Sequence, residues 1–354
     1  MRWRFWRRVL ALAVAMLLPM VSQAQAQAER DMSITGSSFL APFIRSVIKN
    51  LVDRRVIAQP TTSFGGTGLG IAQFCESAGP SAPDVVAMSR RVRAVELDVC
   101  KENRVEEIIE IQLGLSALVI VARKDDADFN LTLAELYKAV AAELPHDTAF
   151  VPNHFTAWNN INNDLPALPI RVLVPAAGLG SRSFFEDRFL QAACRKIFEI
   201  GTIFSAVERV EQCIGLRRDG RIGEIAIPYD KNLRDAMAAA PKGTVAVAPL
   251  NMAKEMLDVI KVLPFDGVPP TQESIATREY AFVRPLYVYV KKANVKDYQG
   301  HGPVRGLREF ITELTRERTV GPSGYLVKEG LEPLTTQRRE SVRRNALNLE
   351  PVQR

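Results

Sequence analysis

Four short segments of this 354-residue chain gather glycines, hydroxyls and guanidiniums: Gly36-Ser37-Ser38-Phe39, Gly65-Gly66-Thr67-Gly68, Ser89-Arg90-Arg91 and Gly178-Leu179-Gly180-Ser181-Arg182. Glycine lets backbone N–H groups come close to a ligand, hydroxyls add donors, and arginine offers a planar fork suited to a tetrahedral oxyanion. Each segment also has a plainer reading. Ser37 or Ser38 serves as a helix N-cap worth about 1 kcal/mol, glycines after a strand are turn residues, and Arg90 with Arg91 is a solvated pair. Recurrence of the pattern at four strand ends favours a cleft that binds an oxyanion. The candidate ligand-binding set is Ser37, Ser38, Phe39, Gly66, Thr67, Ser89, Arg90, Gly180, Ser181 and Arg182.

Catalytic signatures are missing. The chain has no G-x-S-x-G, no Walker lysine motif, no G-x-G-x-x-G and no H-E-x-x-H. His146, His154 and His301 lie in polar or proline-containing stretches without the spacing of a triad or metal site. No catalytic residue, metal ligand or cofactor is expected, and Trp158 reads as a packed loop anchor.

The elements that would position the four segments alternate. Met32 to Gly36 reads as a strand feeding a helix whose apolar positions run from Phe39 to Leu51 at helical spacing. Thr61 to Phe64 and Asp84 to Ser89 are further strands, with a helix from Leu69 to Ser77 between them. Beyond these come helices at Leu133 to Leu144 and Ser181 to Lys196, the latter with Phe184, Phe185 and Phe189 on its apolar side. Strands follow at Pro169 to Val174, Val245 to Ala248 and Ile260 to Leu263, and helices close the chain at Val304 to Thr315 and Thr336 to Asn348. Such alternation predicts α/β domains with largely parallel sheets. Two long extended runs, Ile108 to Arg123 and Tyr280 to Lys291, are what a chain needs to leave one domain, build another and return. The expected organisation is a discontinuous lobe I (29–117 and 285–354) and an inserted lobe II (118–284).

Composition agrees with an ordinary globular chain of two domains: 47% hydrophobic and 24% charged residues. The net charge of +6 is misleading, because Arg2, Arg4, Arg7 and Arg8 stand in the first 28 residues without an acid, leaving +2 for the rest. Nucleic acid is therefore not an expected partner. Those arginines, the apolar run Val9 to Val21 and alternating small residues at Ala24, Ala26 and Ala28 predict a cleavable secretory signal over 1–28. The apolar run falls short of the ~20 residues that span a bilayer, so no membrane anchor is expected.

Export would place Cys75, Cys100, Cys194 and Cys213 in an oxidising compartment. Three pairings are open. Joining near neighbours would close loops of about 25 and 20 residues, worth about 3 kcal/mol each in the chain-entropy model, while the remaining reading is four buried thiols.

The motifs also carry a family resemblance. Gly36-Ser37-Ser38-Phe39-Leu40-Ala41-Pro42 resembles the segment that opens the PstS-like phosphate-binding proteins of ABC importers, and Gly65 to Gly70 resembles their glycine-rich second loop. Phe74-Cys75, Pro83-Asp84, Ser89-Arg90-Arg91 and Cys100 resemble a cysteine-containing branch of that group. Gly180-Ser181-Arg182, Arg284 to Lys291 and Gly324-Tyr325-Leu326 resemble later motifs, so that nearly the whole exported chain is covered. The resemblance implies a two-lobed type II periplasmic binding protein fold, each lobe a mostly parallel sheet flanked by helices. It further implies a monomer that closes on phosphate or a similar oxyanion without catalysis, in the periplasm of a Gram-negative bacterium, and delivers it to an ABC permease. Three positions depart from the family pattern. Arg90 stands where the family has an aspartate that accepts a phosphate proton, Pro175 replaces an arginine, and Leu179 replaces a serine ligand. Arg90 and Arg182 would restore positive charge, and Asp187 or Glu186 are the candidates for a replacement acceptor. The alternative is a family member without tight anion binding that serves as a periplasmic interaction or sensory module.

Overall fold

The computed structural model describes residues 29–354 except 129, 147–148, 227–228, 296–302 and 354. The signal segment 1–28 and His301 lie outside the described residues. Among the described residues eleven strands are formed: β1 (Ser33–Gly36), β2 (Thr61–Ser63), β3 (Val85–Met88), β4 (Ile108–Arg123), β5 (Glu143–His146), β6 (Ala149–Pro152), β7 (Arg171–Pro175), β8 (Ile222–Ile225), β9 (Thr244–Pro249), β10 (Ile260–Val262) and β11 (Val283–Lys291). Nine make one continuous sheet in the order β2-β1-β3-β11-β4-β9-β7-β8, with β10 also on β4, while β5 and β6 form a separate hairpin.

This sheet has two halves because β4 serves both. From Ile108 to Ala117 it pairs antiparallel with β11, and from Leu118 to Ala122 it pairs antiparallel with β9. The returning β11 begins where the outgoing half ends, with Val283 opposite Ala117. Sixteen residues of nearly unbroken apolar sequence make β4 possible, since it is covered on both faces. The outer pairs are parallel, β1 with β2 and β3, and β7 with β8 and β9. Within the large sheet every antiparallel pair involves β4 or β11, so the sheet is more mixed than alternation alone predicts.

Each half has its own helices. In the first, α1 (Ala41–Asp53) buries Phe43, Ile44, Val47, Ile48 and Leu51, the apolar stripe read from the sequence. Across the sheet α2 (Thr67–Phe74) and α3 (Ala94–Glu102) enclose a small core of Ile71, Phe74, Val86, Met88 and Tyr289. The disulfide Cys75–Cys100 joins them, with Cα atoms 4.3 Å apart. In the second half, 180–194 is helical throughout, with a π-turn at Glu186–Leu190, and Cys194 bonds to Cys213 with Cα atoms 5.4 Å apart. Both bonds join near neighbours. Trp158 is packed as expected but opens a one-turn helix (Trp158–Ile161) rather than lying in a loop: it is fully buried and its indole N–H donates to the Gly243 carbonyl at 2.8 Å.

One expectation needs correction, and one strand of the large sheet was not expected. The helix expected over Leu133 to Leu144 stops at Val140, because Ala141 turns to extended backbone and the chain enters the β5–β6 hairpin. The unexpected strand is β8: its glycine and glutamate hide the apolar alternation that marks a strand.

Candidate functional site

The β1 strand ends in a turn that only glycine can make. Gly36 has φ +141°, and a Cβ there would sit 2.1 Å from the Ala87 carbonyl oxygen. That close packing lets the Ser37 amide donate to Ala87 (2.8 Å) and the Gly66 amide donate to Gly36 (2.9 Å), tying the ends of β1, β3 and the start of α2 together. The segments Ser37 to Phe39, Gly66-Thr67 and Ser89-Arg90 thereby converge on one wall of a cleft of about 520 Å³. Gly180, Ser183, Asp187, Arg188, Gln191 and Arg195 of the 180–194 helix form the facing wall, and Arg284 and Pro285 from the start of β11 also line the cleft.

Of the ten residues expected from sequence, eight border this cleft: Ser37, Ser38, Phe39, Gly66, Thr67, Ser89, Arg90 and Gly180. Their groups are partly committed to one another. Ser37 Oγ accepts from the Phe39 amide at 3.2 Å, so the hydroxyl behaves as an N-cap. The hydroxyls of Thr67 and Ser89 are 3.0 Å apart, and the Ser89 amide donates to Thr67 Oγ1. Arg90 forms a bidentate pair with Glu96, at 2.9 and 2.5 Å. Burial pushes the Glu96 carboxyl up, but bonds from Arg90 and the Arg93 amide outweigh it, leaving the group below the usual carboxylate range.

Ser181 and Arg182 are not brought to the cleft. Arg182 is buried, donating to the Pro175 carbonyl (3.0 Å), to Glu186 (2.7 Å) and to Glu224 (2.8 Å). It ties the 180–194 helix to the ends of β7 and β8, and it holds Glu224 below the usual carboxylate range. Because the helix begins at Gly180, its polar cleft face is carried by Ser183, Asp187, Gln191 and Arg195, at steps of four, which turns Arg182 inward. Of the two acceptor candidates, Asp187 lines the cleft, whereas Glu186 is taken by Arg182.

The residue that sequence reasoning missed is Arg284. Only 6% exposed, its guanidinium lies over the rings of Phe184 (4.2 Å) and Phe39 (5.3 Å), with one carboxylate contact, Asp187, at 3.3 Å. Burial, only partly offset by Asp187, pushes its pKa down to about 10. A cation inside the otherwise apolar run 280–290 was the available signal, since a buried charge needs a partner. The two walls also touch: a Cβ on Gly180 would lie 2.7 Å from Phe39 Cα, and Phe39 meets Phe184 edge-on at 6.0 Å.

The molecule is thus a two-lobed α/β protein whose cleft presents hydroxyls and guanidiniums. A family model for the PBP superfamily domain matches residues 21–318. The chain belongs to that superfamily. It is similar to the protein SphX of Synechococcus elongatus, 23% identical over 303 residues that cover 80% of this chain and 79% of that one. It is likewise similar to the phosphate-binding protein PstS of Staphylococcus haemolyticus, 23% identical over 82% of this chain and 79% of that one. Among solved structures, a possible phosphate-binding protein from Planctomyces limnophilus superposes with a TM-score of 0.68 at 20% identity, covering 91% of this chain and 99% of its own. Among the described residues no helix is long and apolar enough to cross a membrane.

Proposed function

We propose that this protein captures phosphate, or a tetrahedral oxyanion like it, between its lobes without catalysis and presents it to an ABC permease. The observation that carries the reading is Arg284, a buried guanidinium bordering the cleft with a single carboxylate contact at 3.3 Å. Buried charges are stable only when paired, and an oxyanion is the partner this fork fits. Ser38, Thr67 and Ser89 supply hydroxyls from one lobe and Ser183 supplies one from the other. Asp187, in contact with Arg284, is the acceptor for a proton on the anion, the role left empty by arginine at position 90.

The lobes are taken as 29–117 with 285–354, and 118–284. Support comes from the pairing of Ala117 with Val283 and of Leu118 with Pro249, where β4 passes from one neighbour to the other. Closure buries the anion among fixed donors, where charge-assisted bonds strengthen, and the closed form is what a permease recognises. The signal-like segment 1–28 and the two disulfides support export to an oxidising compartment, here the periplasm of a Gram-negative bacterium, where the protein works as a monomer.

Calorimetric titration of anion-free protein with phosphate and then sulfate near neutral pH tests this. Saturable phosphate binding with little response to sulfate is expected if Asp187 accepts a proton, since sulfate brings none. Equal binding of both would remove that role from Asp187, and no heat from either in a folded sample would refute the reading.

A further inference from the structure

A second cavity lies apart from the oxyanion cleft and shares no lining residue with it. It measures about 450 Å³, and every residue around it lies between Thr132 and Asp266, in the half of the molecule built on β7, β8 and β9. Movement of one half against the other therefore does not set its size. One wall is α4 (Leu133–Val140), and the others are β5, the segment His154-Phe155 and the chain from Ala193 to Ile197. Leu133, Tyr137, Leu144, Phe155, Ala193 and Ile197 make the interior apolar. Tyr137 is 3% exposed and donates to Cys194 Sγ at 3.3 Å, which ties α4 to the Cys194–Cys213 disulfide and holds the cavity formed. An apolar space of this volume with a few charged groups around it is the usual form of a small-molecule site.

The charges here are of both signs. Lys138, Lys196 and Asp266 line the cavity and are exposed, and none of them has an ion pair among the described residues. Glu135 lies near Lys138, but its two oxygens accept from the Thr132 amide (2.8 Å) and from Asn162 (2.7 Å). Asp266 Oδ1 accepts from the Leu133 amide at 3.2 Å, which leaves Oδ2 open. The rings of His154 and Phe155, 4.5 Å apart, add an aromatic wall.

We propose that this cavity binds a free α-amino acid with a large aromatic side chain. The ring lies among the apolar residues, the carboxylate on Lys138 and Lys196, and the ammonium on Asp266. A ligand carrying both charges answers the lysines and the aspartate together, whereas an aromatic acid or amine satisfies one sign and is repelled by the other. This site is separate from the oxyanion reading above and goes beyond it.

The test is calorimetric titration of the exported chain with L-tryptophan, with 3-indolepropionate, which lacks the ammonium, and with tryptamine, which lacks the carboxylate. L-Tryptophan is expected to bind at least about tenfold more tightly than either analogue, ~1.4 kcal/mol. Asp266→Asn keeps an acceptor for the Leu133 amide but loses the charge. It should weaken L-tryptophan at least about fivefold and leave 3-indolepropionate unchanged or tighter. Binding of either analogue equal to or tighter than that of L-tryptophan would overturn the amino-acid assignment, and an unchanged L-tryptophan affinity in the variant would overturn the role of Asp266. No heat from any of the three in a sample that melts cooperatively would overturn the site itself. Each of these results is read without phosphate, so this proposal and the oxyanion reading fail separately.

Discussion

Replacing Arg284 by methionine separates what this side chain does for the fold from what it does for a ligand. The guanidinium is 6% exposed and has one carboxylate contact at 3.3 Å, to an aspartate whose side chain is mostly in water. Replacing a whole buried ion pair by apolar groups is often neutral or stabilising by about 1–4 kcal/mol, and here the partner left behind, Asp187, already stands mostly in water. Against this stands the lost stacking on Phe184, at 4.2 Å, about 0.5–2 kcal/mol. The variant should therefore melt, in anion-free buffer, at or above the parent temperature. Binding should respond in the opposite direction. Removing one partner of a buried charge pair costs about 2–5 kcal/mol, which at ~1.4 kcal/mol per decade weakens phosphate from about 30-fold to several thousandfold. Calorimetry and thermal melting on the same preparation read both effects. A variant that binds phosphate within about threefold of the parent, a difference under ~1 kcal/mol, would refute the placement of the anion at Arg284. A variant that melts lower would refute the argument that this charge is kept at the expense of stability.

Other consequences are equally direct. Gly180→Ala would bring a methyl to 2.7 Å from Phe39 Cα; overpacking costs about 1–3 kcal/mol, so phosphate affinity should fall about five- to 150-fold, and an unaltered affinity would show that the lobes need not meet there. Arg182→Ala should lower the melting temperature, because it orphans the Pro175 carbonyl and two carboxylates, at about 1–3 kcal/mol; unchanged melting with lost binding would instead return Arg182 to the ligand. Lys291 is buried, and its desolvation, only partly offset by Asp84, pushes its pKa down to about 8. Below that value both folded and unfolded chains carry the proton and the full burial penalty is felt. Between about 8 and its ordinary 10.5 the unfolded chain binds more protons, so stability contributed by this group rises with pH. Lys291→Met should therefore be more stable than the parent near neutrality, with the gap closing as pH rises from about 8 to 10.5 in denaturant titrations; a gap constant across that window would refute the assignment.

Much of the fold was legible because burial leaves a simple trace. The stripe from Phe43 to Leu51 and the nearly unbroken apolar run of β4 each admit one reading, and the two long extended runs became the neighbouring strands β4 and β11. Strand β8 was hidden because its residues are half in water. The site was legible on the side where backbone geometry dictates composition: glycine at Gly36 is obligatory, and hydroxyls follow at the strand ends. On the other side the structure departs from that pattern. Gly180-Ser181-Arg182 looked like one more ligand turn, but a helix starting at Gly180 shows its neighbours every third or fourth residue, so the cleft receives Ser183 and Asp187 and the core receives Arg182. Arg284 escaped because its importance lies in what surrounds it, two phenylalanine rings from distant parts of the chain, and no local pattern announces that.

The antiparallel pairing of Ala117 with Val283 has a consequence for engineering. A long stretch of chain departs and comes back through two adjacent strands, so its ends are neighbours, as they are in modules that tolerate transplantation. Any twist of one connector is shared with the other through their common hydrogen bonds. A fluorophore pair placed one on each side of the ribbon would report closure as a change in their separation, making the molecule a natural frame for an optical sensor.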